Sequence, residues 1–102
     1  MSHHVITIGD KGDANPNPLG ISMKNADTVQ WQSTGADEWM VVFRGSCPFT
    51  DRDFHVPANA SSRVAQQSAG LQDGERYIYT VVTWPPKAAG GAGTDPAIDI
   101  KP

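Results

Sequence analysis

The chain has 102 residues, enough for one domain, since domains most often run to roughly 100–150 residues. Its formal charge of −3 comes from 8 Lys and Arg against 11 Asp and Glu, and the basic residues are scattered singly from Lys11 to Lys101, so the basic stripe that would bind nucleic acid is missing. An apolar share of 38% broken by 10 Gly and 8 Pro leaves little room for long helices, and no apolar run approaches the roughly 20 residues of a membrane span.

Short strands joined by turns are the expected architecture. Met1-Ser2-His3-His4 runs straight into a strand-like segment without the charged, apolar, then small-residue progression of an export signal. As written the sequence favours the cytoplasm, and an exported protein whose signal had been removed would read the same. Cys47 is the one cysteine, which excludes an internal disulfide and any zinc site built from several thiolates.

In chain order, Val5-Ile6-Thr7-Ile8 is a β-branched run stopped by Gly9-Asp10, a short edge-like strand, and the segment from Lys11 to Pro18 is a loop by its Gly, Asn and Pro content. Leu19 to Met23 alternates with period two, Asn25-Ala26-Asp27 supplies turn chemistry, and Thr28 to Trp31 alternates again, which reads as two strands in tight connection. After the polar turn Ser33 to Asp37, the stretch Trp39 to Phe43 is apolar on both phases. That pattern suits a central strand covered on both faces or a strand at a sandwich edge meeting a loop, and it marks the most buried element.

Gly45, Pro48, Pro57 and several charges make the segment from Arg44 to Ala60 a long irregular connection, with at most a one-turn helix near Thr50-Asp51-Arg52-Asp53 and with Phe49 and Phe54 pinning it to the core. Ser61 to Ser68 alternates weakly and fits either a strand or a helical turn. Leu71-Gln72-Asp73-Gly74 is a turn before the strand Arg76 to Thr83, which Trp84-Pro85-Pro86 stops. A Gly/Ala-rich loop from Lys87 to Thr94 leads to a closing strand, Ala97 to Ile100. About seven short strands without helical periodicity specify an all-β protein, an antiparallel β-sandwich in one domain over residues 1–102.

Three features together resemble the cupredoxin-like family: Asp-Thr-Val-x-Trp at Asp27 to Trp31, Gly-x-x-Tyr-x-Tyr at Gly74 to Tyr79, and Asp-Pro-x-Ile-x-Ile at Asp95 to Ile100. The resemblance implies a Greek-key sandwich; an immunoglobulin-like sandwich carries similar pieces and is the alternative. In copper-bearing members the strand after Val-x-Trp begins with a histidine, a position that falls here at about Trp39. Their remaining cysteine, histidine and methionine follow the Tyr-x-Tyr strand, where this chain reads Val81-Val82-Thr83-Trp84-Pro85-Pro86-Lys87, without sulfur or imidazole. Blue-copper geometry needs two imidazoles and a thiolate on one ion, so the resemblance implies the scaffold without the copper.

Cys47 and His55, with Asp51 and Asp53 between them, form the one thiol, imidazole and carboxylate cluster of the sequence. It would serve a small thiol-dependent enzyme if His55 reached Cys47 and a carboxylate oriented the ring, or a metal site if His3 or His4 folded over to join it. The plainer reading is a small cysteine packed under a loop. A free amino terminus followed by His3, or by His4 if Met1 is removed, can enclose copper or nickel in a square plane, whereas paired terminal histidines are otherwise merely solvated. Trp31, Trp39, Tyr77 and Tyr79 read as core, but Trp84, at a strand end before Pro85 and Pro86, reads as a protein contact. Asn59-Ala60-Ser61 matches a glycosylation sequon, which without export is chance.

The expected function is therefore a non-enzymatic binding or assembly module acting through loops or a sheet edge, with a protein partner or self-association through the first strand or the Ala97 to Ile100 strand. The alternatives are a metal-binding or electron-transfer protein with ligands from His3, His4, Cys47 and His55, and a thiol enzyme using Cys47 and His55.

Overall fold

The computed structural model describes residues 2–43, 45–84 and 96–102. Among them there is no helix, and eight strands form two sheets. The first sheet holds β1 (His3–Ile8), β2 (Ala14–Asn15) and β4 (Thr28–Ser33) in the order β2-β1-β4. The second holds β3 (Leu19–Ser22), β5 (Trp39–Phe43), β6 (Asp53–Val56), β7 (Arg76–Thr83) and β8 (Ala97–Lys101) in the order β3-β8-β7-β5-β6. The all-β sandwich expected from the sequence is present. Its β1–β4 and β3–β8 ladders are parallel, however, and the others antiparallel.

Period-two alternation sends one row of each strand inward, as a half-buried strand requires. Ile6 and Ile8 of β1 and Val29 and Trp31 of β4 thus meet Val41, Phe43, Tyr79 and Ile98 of the second sheet in one core. Phe49 and Phe54 are buried there too, as the sequence suggested. Trp31 is its centre, fully buried, with the rings of Phe43, Phe49, Phe54 and Tyr79 at centroid distances from 4.9 to 6.2 Å.

The structure departs from the sequence reading at several places. β3 and β4 are joined by the tight connection that the sequence suggests, but they lie in different sheets, because the turn through Asn25 and Asp27 carries the chain across the sandwich instead of folding it back. The segment from Arg44 to Ala60 contains β6 where a helical turn was allowed; Phe54 pairs with Val41 and Val56 with Trp39. Ser61 to Ser68 is neither helix nor regular strand, but touches β4 through the bridges Val29–Ala65 and Gln32–Ser61 and reaches Phe49 through Gln67. β8, expected at an edge, runs between β3 and β7, and β5 is covered by core on one face, since Met40 and Val42 point outward half-buried. The loop from Lys87 to Thr94 lies outside the described residues.

Replacing a fully buried Trp removes a large apolar volume that its neighbours cannot refill. Trp31→Ala should lower the unfolding free energy by about 3–5 kcal/mol in a urea titration, and a loss below about 1 kcal/mol would show that the aromatic cluster does not depend on it.

Candidate functional site

The chemistry-bearing side chains stand in separate places. Cys47 lies beyond the Phe43 end of β5, half-buried against the core, and its thiol donates to the Asp51 carbonyl at 3.2 Å. His55 sits on β6 opposite Met40, turned to the outer face, with Nε2 at 2.8 Å from Glu38 Oε2. Alternation explains the separation: Phe54 and Val56 of β6 take the inward positions, so His55 must face out. Asp51 pairs with Arg63 at 3.3 Å, and the same guanidinium lies over the Phe54 ring and donates to the Asp53 carbonyl. Neither carboxylate orients His55. Burial pushes the Cys47 thiol pKa up, and the Phe49 N–H and Arg52 offset this only in part. A thiol with its pKa raised is a weak nucleophile near neutrality.

His3 and His4 are tied to β4 and the turn before it. Gln30 donates its amide N–H to the Ser62 carbonyl and so presents Oε1 to His3 Nε2 at 3.1 Å. His3 Nε2 therefore donates to this oxygen, and Nδ1 lies 2.8 Å from the Thr28 hydroxyl. His4 Nε2 donates to Asp27 Oδ2 at 3.0 Å, an oxygen that also accepts the Ser22 N–H at 2.8 Å, while Oδ1 accepts the Ser2 N–H at 3.0 Å. A square-planar chelate at the amino terminus would need the Ser2 and His3 backbone nitrogens and an imidazole, so chelation would take the Ser2 N–H from the Asp27 carboxylate and the His3 ring from Thr28 and Gln30. Among the described residues no group of three or more His, Cys, Asp or Glu is placed to hold a metal ion.

Asp27 is only 4% exposed. Burial works against its ionisation, but the N–H groups of Ser22 and Ser2 and the His4 imidazole outweigh that cost and hold its pKa below the ordinary carboxyl value. Tyr79 behaves oppositely: burial pushes its phenol up to about 12, and the Trp31 indole counters this only partly, since neither polar atom has a partner in hydrogen-bond geometry among the described residues.

At the other end of the sandwich, Trp39 occupies the place where the cupredoxin resemblance would set a copper histidine, and its side chain is buried in the core. Trp84 follows β7 with its N–H on the Glu38 carbonyl at 2.9 Å and its side chain 50% exposed. His55 is the one imidazole placed near these residues, so the donor set does not fit blue copper. Pro85 and Pro86, grouped with Trp84 in the sequence reading, lie outside the described residues.

Sequence reasoning missed an apolar surface beside Trp84. The outward positions of β7 include Ile78, 52% exposed, and Val82, and those of the neighbouring β5 are Met40 and Val42; Met40 stands opposite Val82. The apolar character of both phases of β5 was the available signal. No protein-family model matches the chain, and no curated protein shows significant similarity to it. No helix among the described residues is long and apolar enough to cross a membrane.

Two outcomes follow. Alkylation of Cys47 at about pH 8 should be several-fold slower than that of free cysteine; a rate equal to or above free cysteine would restore the thiol chemistry. Because the folded pKa of Asp27 lies below its unfolded value, its stabilisation is complete above the unfolded pKa and is lost as pH falls through the folded one. The melting temperature should therefore drop as pH falls below about 4. Asp27→Asn should cost about 2 kcal/mol at neutral pH and flatten part of that acid slope, whereas an unchanged slope would remove Asp27 from the linkage.

Proposed function

We propose that the chain is a copper-free, cupredoxin-like sandwich that serves as a non-enzymatic binding or assembly module for a protein partner. The observation that carries this reading is the outward row Met40, Val42, Ile78, Val82 and Trp84. A sheet face that meets water ordinarily alternates apolar-in with polar-out, and here the out positions of two adjacent strands are largely apolar as well. The row is bordered by charges already paired within the chain, Glu38 with His55 and Arg76 with Asp99. A large aromatic beside aliphatic side chains with a polar border has the composition of a protein contact surface. The dispersal of thiol, imidazoles and carboxylates supports a role without catalysis.

A photo-cross-linking residue at Ile78 should trap discrete protein adducts in cells making the chain, while the same residue at Lys24, on another part of the surface, should not. Met40→Gln with Trp84→Ala should abolish those adducts at a stability cost below about 1 kcal/mol. Equal trapping at Ile78 and Lys24 would refute the outer-face reading. Intense visible absorption on adding copper, lost in Cys47→Ser, would replace the module with a metal protein.

A further inference from the structure

Among the described residues, the hydrogen-bonding parity of β1 leaves part of its backbone without a strand opposite. The Ser2 carbonyl accepts the Thr28 N–H at 2.9 Å, so the even-numbered residues of this stretch turn their N–H and C=O groups toward β4. Odd-numbered residues turn theirs the other way, where Thr7 pairs with Asn15 and the Gly9 N–H meets the Asp13 carbonyl at 2.9 Å. β2 reaches no further along β1 than Thr7. Among the described residues, the N–H and C=O groups of His3 and Val5 therefore face an open edge.

The two edges of the second sheet have features that oppose strand addition. β3 is only four residues long, and Pro16 and Pro18 precede it. β6 is short and carries Asp53, whose carbonyl Arg63 already occupies at 3.1 Å. From Ser2 to Ile8 there is no Lys, Arg, Asp, Glu or Pro, and Val5 is 44% exposed.

We infer that this open edge is a self-pairing site, at which a second copy of the chain adds its own β1 antiparallel about a two-fold axis at His4. The inference rests on the assembly-module reading and names its partner. In this register His3 of one copy stands opposite Val5 of the other, and each such pair exchanges two backbone hydrogen bonds. All the open N–H and C=O groups of His3 and Val5 on both copies are then satisfied. Centring the axis on Val5 instead would set His3 against Thr7, whose outward groups Asn15 holds, and centring it on His3 would set Val5 against Met1, outside the described residues. An axis between residues would oppose inward to outward side chains. The exposed Val5 comes to rest beside the His3 ring of the other copy, on the outer face, and no ionised Lys, Arg, Asp or Glu of the stretch is desolvated. The open backbone is complementary to itself, which is what favours a second copy over an unrelated strand.

The test is sedimentation velocity of the full chain from micromolar to millimolar concentration, with residue-resolved amide exchange. A species of twice the chain mass should form, and the His3 and Val5 amides should slow by about tenfold or more as it does. Val5→Pro deletes an N–H that makes no bond among the described residues and should yield a folded monomer, while Val5→Thr should keep the dimer. A monomer across the whole range, fast His3 and Val5 amides within a dimer, or a dimer that survives Val5→Pro would each overturn the inference. Ile78 adducts from a monomeric chain would sink the strand pairing alone, and a β1-paired dimer without such adducts would sink the outer-face contact alone.

Discussion

The Asp27 carboxylate is the constraint on which the rest of the sandwich turns. Its two oxygens gather the Ser2 N–H just before β1, the His4 imidazole from β1 and the Ser22 N–H from β3, while the Gln67 amide donates to the carbonyls of both Ser22 and Asp27. β1 and β3 belong to different sheets, so one buried anion fixes how the two sheets meet at this end. An isolated buried charge would be costly, and it persists here because each carboxylate oxygen finds a donor, Oδ1 one and Oδ2 two. In a chain without a disulfide this polar knot supplies the tie that a cross-link would otherwise provide.

The parallel register of β1 on β4 starts from that knot, and the register sorts the side chains. Ile6, Ile8, Val29 and Trp31 go to the core; His3, Val5, Thr28 and Gln30 go out. The same sorting on the second sheet sends His55 out and leaves Cys47 to pack against the core from beyond β5. Groups that could cooperate chemically are thereby spread over different faces and ends. What the fold concentrates is contact area: apolar side chains on the outer rows of β5 and β7, and unpaired backbone along β1.

Strands whose signal is local were legible in the sequence. Arg76 to Thr83 and Thr28 to Trp31 alternate strongly, and Trp31 was rightly placed in the core, because its neighbours in sequence already show which phase is buried. β6 was not legible: half of Asp-Phe-His-Val is polar and it lies among prolines and charges, so only its distant pairing with β5 makes it a strand. The turn chemistry of Asn25 to Asp27 was read correctly as a tight connection, yet nothing local says whether such a turn folds a strand back or sends it to the other sheet. The exposure of Trp84 could be read from its place at a strand end before two prolines. The outer apolar row could not, because an alternating pattern filled on both phases looks the same whether the second face meets protein or water. Cys47 and His55 looked like a cluster from their spacing, and it is strand parity, invisible until the strand is known, that separates them.

The position of β8 bears on how the chain is made. β3 joins its sheet only through β8, which follows it after nearly the whole of the intervening sequence. During synthesis Leu19 and Ile21 leave the ribosome long before Ile98 and Ile100, and until then the apolar side of β3 has no strand to lie beside. The nascent chain is stickier than the finished one for most of its translation. Ribosome stalling ahead of Ala97 would release a chain suited to a chaperone's grip rather than to a partner's.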